Sequence, residues 1–579
     1  MIGRVAITDI SPTIYFGGEF TPVKAIINEE ILVSATVAGE GHDYPTVQVI
    51  TRDSKGNELT RSNAIERNPG TDRYEAFIAL PKLGNFTFEI EAAITTQYRT
   101  VTTNSPRFPV YVERERALVG AWYEFFPRSE GASINKDGSY KSGDFGTATK
   151  RLKAVKEMGF DVLYIPPIHP IGISHRKGPN NTLTAGPNDP GVPWGIGNSD
   201  GGHDAINPAL GTMKDFEQFV KAANKLELEI ALDLALQTSP DHPWVKEHPK
   251  WFNYRADGTI AYAENPPKKY QDIYPINFDD DFDGLVKEVY RICELWISKG
   301  VTIFRVDNPH TKPVVFWQTL ISKVNAKYPE IVFLAEAFTK PAMMHALGKA
   351  GFQQSYTYFT WRVTKNELTE YGREVSKGTS AFFRPNFWVN TPDILPFHLQ
   401  SGNPAMFALR AVLASTMTPS WGMYAGYELY EHLPFKDDGE EYRDSEKYEI
   451  KVRDWQGARK TGLTLEPFIA QLNLIRKNNI ALQRLRNLEF HPTENENIIA
   501  YSKREGNNLI LVVVNLDPTK PQETMIHWDM WFLGFEADSF EVTDLLDGKR
   551  HTWHPHTFVR LNPGRPDGKV AHIAQVIIK

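Results

Sequence analysis

Along residues 1 to 112, apolar and polar positions alternate in short runs, EILVSATVAG, TVQVITRD, RYEAFIALP and FTFEIEAAI, separated by Gly, Asn and Pro. A period of two turns one face of each run inward, which predicts an N-terminal β-sandwich. Past TTNSPRFPV the texture changes to apolar runs followed by helical stretches. LVGAWYEFF, VLYIPPI, EIALDLAL, TIFRVDN, IVFLAEAF, QSYTYF, FFRPNFWVN and SWGMYAG read as strands. TKRLKAVKEMG, DFEQFVKAANKL, LVKEVYRICELWI, FWQTLISKVNA and PAMFALRAVLAS read as helices between them. Eight strands with interposed helices predict an α/β fold, a (β/α)8 TIM barrel over residues 113–490, in preference to an open sheet. The stretch 238–280 is too long for an ordinary strand-to-helix connection and reads as an inserted subdomain. Over 491–579 the strand pattern returns in NIIAYSKR, NLILVVVNL, FEVTDLL and AQVIIK, which predicts a C-terminal antiparallel β-domain.

Composition narrows the function classes. A chain of 579 residues with 41% hydrophobic content has enough apolar surface for several cores. A formal charge of −7 and the lack of a long Lys/Arg run argue against nucleic-acid and membrane-surface partners. Cys293 is the single cysteine, so no internal disulfide forms, and its place in EVYRICELWISKG reads as core filling. MIGRVAITDISPTIYF lacks a basic region followed by an apolar signal core, and no apolar segment of about 20 residues appears, which predicts a cytoplasmic protein.

Barrel chemistry is assembled at the C-terminal ends of strands. Four apolar runs close on acids, Asp233, Asp307, Glu336 and Asp393. Any one alone can cap a helix or pair an arginine. Together on one rim they point to carboxylate chemistry. Two carboxylates about 5 to 5.5 Å apart allow a retaining glycosidic mechanism, one attacking the anomeric carbon and the other serving as acid and then base. A zinc site has no support, since HPWVKEH lacks a recognised ligand pattern. No cofactor is expected.

DLALQT, FRVDNPH, FLAEAF and NTPD stand in the order and at the strand ends of the four short regions of the alpha-amylase superfamily, glycoside hydrolase family 13, which the chain resembles. The resemblance implies Asp307 as nucleophile, Glu336 as general acid/base, Asp393 as the third carboxylate, and Arg305 as the group that keeps the nucleophile ionised. Ordinary amylases place other residues at Gln237 and Thr238, at His310 and Thr311, and at Thr391 and Pro392. These departures, with GGHDAINPALGT, ENPPKKYQDIYPINF, WYEFFPRSEG and SEKYEIKVRDW, resemble the maltosyltransferases that use maltose 1-phosphate. That resemblance implies transfer of maltosyl units from alpha-maltose 1-phosphate to an alpha-1,4-glucan with release of phosphate. Lys268, Tyr270 and Asn308 would then receive the phosphate, and Lys177, Gln237, Asp272, Lys447 and Tyr448 the donor's two glucose units. A related alpha-glucan hydrolase, a maltosyltransferase that uses no phosphate and a non-catalytic glucan-binding barrel remain alternative readings. The resemblance also allows a homodimer. TVTTNSPRFPV, however, joins sandwich and barrel almost directly, where relatives often carry a helical insertion that contributes to that dimer.

Overall fold

The computed structural model describes residues 4–41, 44–95, 99–265, 268–564 and 569–577. At the N-terminus, strand Glu58–Glu66 pairs with Thr46–Arg52 on one side and with Arg73–Ile78 on the other, and so joins two halves that are antiparallel except where Phe108–Glu113 runs parallel to Val23–Ile26. Alternate residues of both halves, among them Val33, Val37, Val49, Phe86, Ile90 and Val110, share one buried cluster. This is the sandwich that the period-two alternation predicts.

The eight expected barrel strands are all present. In order around the barrel they are Gly120–Glu124, Val162–Ile165, Glu229–Leu234, Ile303–Val306, Val332–Ala335, Gln354–Ser355, Phe387–Trp388 and Ser420–Tyr424, and every adjacent pair is parallel. The ring closes through a parallel bridge from Ser355 to Pro385. Side chains alternate between two environments. Trp122, Val162, Tyr164, Ala231, Ile303, Val332, Leu334, Tyr356 and Trp388 fill the barrel interior. Tyr123, Leu163, Ile230, Leu232, Phe304 and Phe333 pack outward in the larger cluster that includes the helices. At Gly422 a Cβ would stand 2.5 Å from the Trp388 ring, so only glycine lets that indole cross to the eighth strand.

The predicted helices appear as Leu152–Glu157, Met213–Lys225, Phe282–Ser298, Val314–Lys327 and Pro404–Met417. Pro341–Ala350, Lys365–Arg373 and Glu466–Asn478 are additional helices that the apolar periodicity did not single out. The stretch 238–280 folds as helical turns, the pairing of Gln237–Thr238 with Tyr274–Pro275, and the hairpin Ala263–Asn265 with Lys268–Tyr270. Its Trp244, Trp251, Phe252, Ile276 and Phe278 are buried in the barrel's own cluster, which fixes the segment over the mouth.

The C-terminal region forms a six-stranded antiparallel sheet, with a two-stranded sheet of Gln522–His527 and His556–Leu561 beside it. The strand Asn508–Asn515 reads NLILVVVN because both of its faces are covered. Ile510, Val512 and Val514 belong to the barrel cluster, and Leu509, Leu511 and Val513 to the sheet's own core. Among the described residues no helix is long and apolar enough to cross a membrane.

Candidate active site

Interior positions of a strand recur every second residue, so a residue two beyond an interior plug emerges at the mouth. Counting on from Trp122, Ala231, Ile303 and Leu334 gives Glu124, Asp233, Arg305 followed by Asp307, and Glu336, all of them buried. The rim is therefore a layer of charge laid directly on an apolar plug.

Arg305 is its hub. Its Nη1 donates to Asp233 Oδ2 at 2.8 Å and to Asp307 Oδ1 at 3.0 Å, and its Nη2 pairs with Glu336 Oε1 at 2.6 Å. The guanidinium lies 5.3 Å from the Tyr164 ring centre and 5.7 Å from that of Tyr356. Tyr164 Oη and Trp194 Nε1 also donate to Asp233 Oδ2, at 2.6 Å and 3.3 Å. Asp233 thus holds the arginine through Oδ2, while its Oδ1 is buried with no partner among the described residues.

Burial acts to raise every carboxyl in this layer, because it penalises the charged form. At Asp307 the charges of Arg305 and Lys312 more than offset burial and hold the carboxyl below the usual aspartate range. At Glu336 burial prevails over Arg305, the negative charges of Asp307 and Asp393 add to it, and the carboxyl is pushed well above the glutamate range. Burial pushes Asp233 up to about 7 against the pull of Arg305. Two neighbouring acids are thereby biased to opposite protonation states, the arrangement that a nucleophile and a general acid need.

Asp307 and Asn308 open onto a cavity of about 560 Å³ that Lys177, Gln237, Tyr270, Asp272, Asp393, Lys447 and Tyr448 also line. Arg305 and Glu336 do not line it but are bonded to Asp307 and Asn308, which do. Lys268 is paired through its backbone with Asn265, and its side chain lies outside the described residues. The other predicted site residues are thus gathered at one space, lining it or bonded to residues that do, although they come from seven separate segments of the chain. Lys447 Nζ pairs with Asp393 Oδ1 at 2.6 Å and sits 5.7 Å from the Trp194 ring centre and 5.9 Å from that of Tyr448. Lys177 Nζ donates to Gln271 Oε1 at 2.7 Å, and burial lowers its pKa. Asp272 Oδ1 is buried and has no hydrogen-bond partner among the described residues, which leaves an acceptor for a ligand hydroxyl.

Sequence reasoning missed Trp194 and Lys312, both on the cavity wall. Trp194 comes from the long Gly/Pro-rich connection after the second barrel strand, where no periodicity marks it. Lys312 carried a signal in its spacing, five residues past Asp307 in one tight turn. The described residues hold one cluster with metal-ligand chemistry, Asp544, His551 and His572, whose ligand atoms lie within 4.8 Å of one another. None of the three lines the cavity, and Lys569 and His572 already engage Asp544.

Comparison with known proteins adds independent findings. A family model described as alpha-1,4-glucan:maltose-1-phosphate maltosyltransferase, domain N/S, matches residues 3–100. The model described as GLGE, C-terminal, matches 490–576, and alpha amylase, catalytic domain, matches 122–286. The alpha-1,4-glucan:maltose-1-phosphate maltosyltransferase 1 of Streptomyces coelicolor is 47% identical over 656 residues, covering 100% of this chain and 96% of that protein. That alignment is longer than the 579 residues of this chain, so the relative carries inserted segments missing here. The alpha-1,4-glucan:maltose-1-phosphate maltosyltransferase of Mycolicibacterium smegmatis is 53% identical over 487 residues, 83% of this chain and 69% of that protein. The crystal structure of an alpha-amylase from Lactobacillus plantarum superposes with a TM-score of 0.58 at 21% identity, over 80% of this chain and 99% of that one, a likeness of fold.

Proposed function

This chain belongs to the alpha-1,4-glucan:maltose-1-phosphate maltosyltransferase family, and on that premise we propose that Asp307 carries the maltosyl unit between donor and acceptor. The enzyme is a maltosyltransferase. In the first step an Asp307 carboxylate oxygen attacks C1 of alpha-maltose 1-phosphate. The C1–O bond to phosphate breaks, Glu336 gives its proton to the departing oxygen, and a β-glycosyl ester remains on Asp307. In the second step Glu336, now a carboxylate, takes the proton of the acceptor's non-reducing 4-hydroxyl. That oxygen attacks C1, the ester bond to Asp307 breaks, and two inversions give net retention.

The observation that carries this reading is the shared arginine. One guanidinium holds both acids, while Asp307 is kept below and Glu336 above its ordinary range. Asp393, with Lys447, faces the same cavity and is assigned to the hydroxyls of the reacting sugar. Lys177, Gln237, Asp272, Lys447 and Tyr448 are assigned to the donor's two glucose units, and Tyr270, Asn308 and Lys268 to the phosphate.

The test uses Glu336→Ala with maltosyl fluoride, whose leaving group needs less acid help, followed by mass spectrometry of the protein. A maltosyl adduct on Asp307 is expected. An adduct elsewhere overturns the assignment. With the wild-type enzyme and maltose 1-phosphate, a malto-oligosaccharide acceptor should grow in steps of two glucoses with one phosphate released per step. Products without phosphate release would point to the hydrolase or the phosphate-independent transferase.

A further inference from the structure

The peptide that joins Asp307 to Asn308 is gripped at both ends. Its carbonyl oxygen accepts from Lys312 Nζ at 3.3 Å, and its N–H donates to Glu336 Oε2 at 3.4 Å. Lys312 Nζ makes a second bond, to Asn308 O, at 3.1 Å. Asn308 itself is left-handed, with φ 42° and ψ 53°. That backbone is uncommon for a non-glycine residue, and Pro309 behind it favours an extended conformation instead. A buried ammonium bonded to two successive carbonyls holds a turn that the local sequence disfavours.

The same ammonium lies in line with the two reacting acids. Positive charge at the carbonyl end of a peptide and a carboxyl at its N–H end reinforce the peptide dipole, so Glu336 is stabilised as an anion through the bond. Asp307, whose carbonyl is held, feels the charge directly. We propose that Lys312 is a positioning residue that clamps the 307–308 peptide and lowers the proton affinity of the Asp307–Glu336 pair. The proposal rests on the catalytic roles assigned above to those two acids.

Other charges bear on the same groups. Arg305 and Asp233 face Lys312, Asp307 and Glu336, and His310 stands on the same turn. Asp393 from the turn after the seventh strand adds negative charge near Glu336, and Glu124 from the first strand also faces it, its own carboxyl pushed well above the glutamate range by burial. The aromatic rings of Tyr164 and Tyr356 flank the arginine. In this set Arg305 is bonded to side-chain carboxylates, whereas Lys312 is bonded to the backbone between them. Removing Lys312 therefore subtracts a charge while leaving the arginine bridges in place.

The sign of the effect is fixed. Without the ammonium both carboxyls hold their protons more tightly. Asp307 must be ionised and Glu336 protonated in the free enzyme, so both limbs of the pH profile of kcat/KM move to higher pH. Lys312→Gln keeps N–H donors for the carbonyls and removes the charge, and Lys312→Met removes both. We expect Gln to shift both limbs upward by roughly one unit, in the lower part of the range for a lost neighbouring charge. The acid limb, which reports ionisation of Asp307, should shift equally with maltose 1-phosphate and with maltosyl fluoride. Limbs that stay at the wild-type pH in folded Lys312→Gln, whatever the rate, overturn the proposal, as does an acid-limb shift seen only with the phosphate donor. Should Lys312→Met fail to fold, the Gln variant alone decides. Adduct formation on Asp307 in the Glu336→Ala, Lys312→Gln double variant tests the underlying assignment separately, so a wrong nucleophile and a wrong role for Lys312 give different results.

Discussion

Replacing Arg305 with methionine would remove the guanidinium that three buried carboxyl groups share, at 2.8, 3.0 and 2.6 Å. With Glu336 protonated, the contact to Asp307 is a full ion pair, and the contact to Asp233 becomes one as pH rises past about 7. At an effective dielectric constant of about 20, unit charges about 3 Å apart attract by on the order of 5 kcal/mol. Losing both contacts is partly offset because the arginine no longer has to be desolvated. Removal of one partner from a buried charge network leaves a net loss of about 3–5 kcal/mol in stability. The loss should depend on pH in a definite direction. In the wild type Asp307 titrates below its ordinary value, so its stabilising contribution is full above about pH 4 and is lost as pH falls through the folded value. Without Arg305 burial dominates at all three acids, their pKa values rise, and folding must take up protons that become scarcer as pH rises. The deficit of Arg305→Met should therefore be greatest near pH 8 and shrink by roughly 1 kcal/mol or more toward pH 5. Denaturant unfolding of both proteins at the two pH values measures it. Maltosyl transfer at neutral pH should fall by about a thousandfold, because the acid and the nucleophile lose their contrast in protonation. A deficit below about 1 kcal/mol, or one that is flat from pH 5 to 8, would refute the view that Arg305 neutralises this layer.

Lys268→Ala should weaken use of maltose 1-phosphate much more than use of maltosyl fluoride, read as kcat/KM for each donor. Equal losses would remove Lys268 from the phosphate site. Gly422→Ala should destabilise the barrel by about 1–3 kcal/mol, because the new methyl must displace the Trp388 ring that stands 2.5 Å from it. Tryptophan fluorescence during denaturant unfolding reports it, and an unchanged midpoint would show that the indole has room to move.

The barrel was legible in the sequence because a strand buried on both faces is a short, unbroken apolar run, and such runs recur eight times. The three acids closing the third, fourth and fifth runs were legible for the same reason, since Asp233, Asp307 and Glu336 each interrupt an apolar run at its C-terminal end. Glu124 stands in WYEFF as Asp233 stands in EIALDLAL, with apolar residues on both sides, so the same pattern marked it and it was passed over. Trp194, Lys177 and Lys447 lie on long connections whose course is set by what they pack against, and residue spacing there carries no period to read. Lys312 is a different case. Its distance from Asp307 was visible, but only the left-handed turn at Asn308 brings its ammonium back to the strand end. Helices such as Lys365–Arg373 carry few apolar positions and are fixed by a Thr364–Glu367 capping box, a signal that the search for apolar stripes passed over.

The layering of the barrel explains why so much charge can sit so deep. Below the mouth the interior is closed by Trp122, Ile303, Leu334 and Trp388, where an unpaired charge would have no partner and no water. One or two inward-facing positions higher along the strands, Asp233, Asp307 and Glu336 meet a single cation that reaches all three. Replacing such a layer with well-fitting apolar side chains often leaves a protein as stable or more so. Its presence is therefore better accounted for by chemistry than by folding. Because three acids share one arginine, they cannot all be ionised without a large excess of buried negative charge. The group with the least compensation takes the proton. Glu336, reached by burial and by the fields of Asp307 and Asp393 together, is that group. The contrast between the acid and the nucleophile follows from a shortage of positive charge at the rim, and any substitution that adds a cation there should erase it.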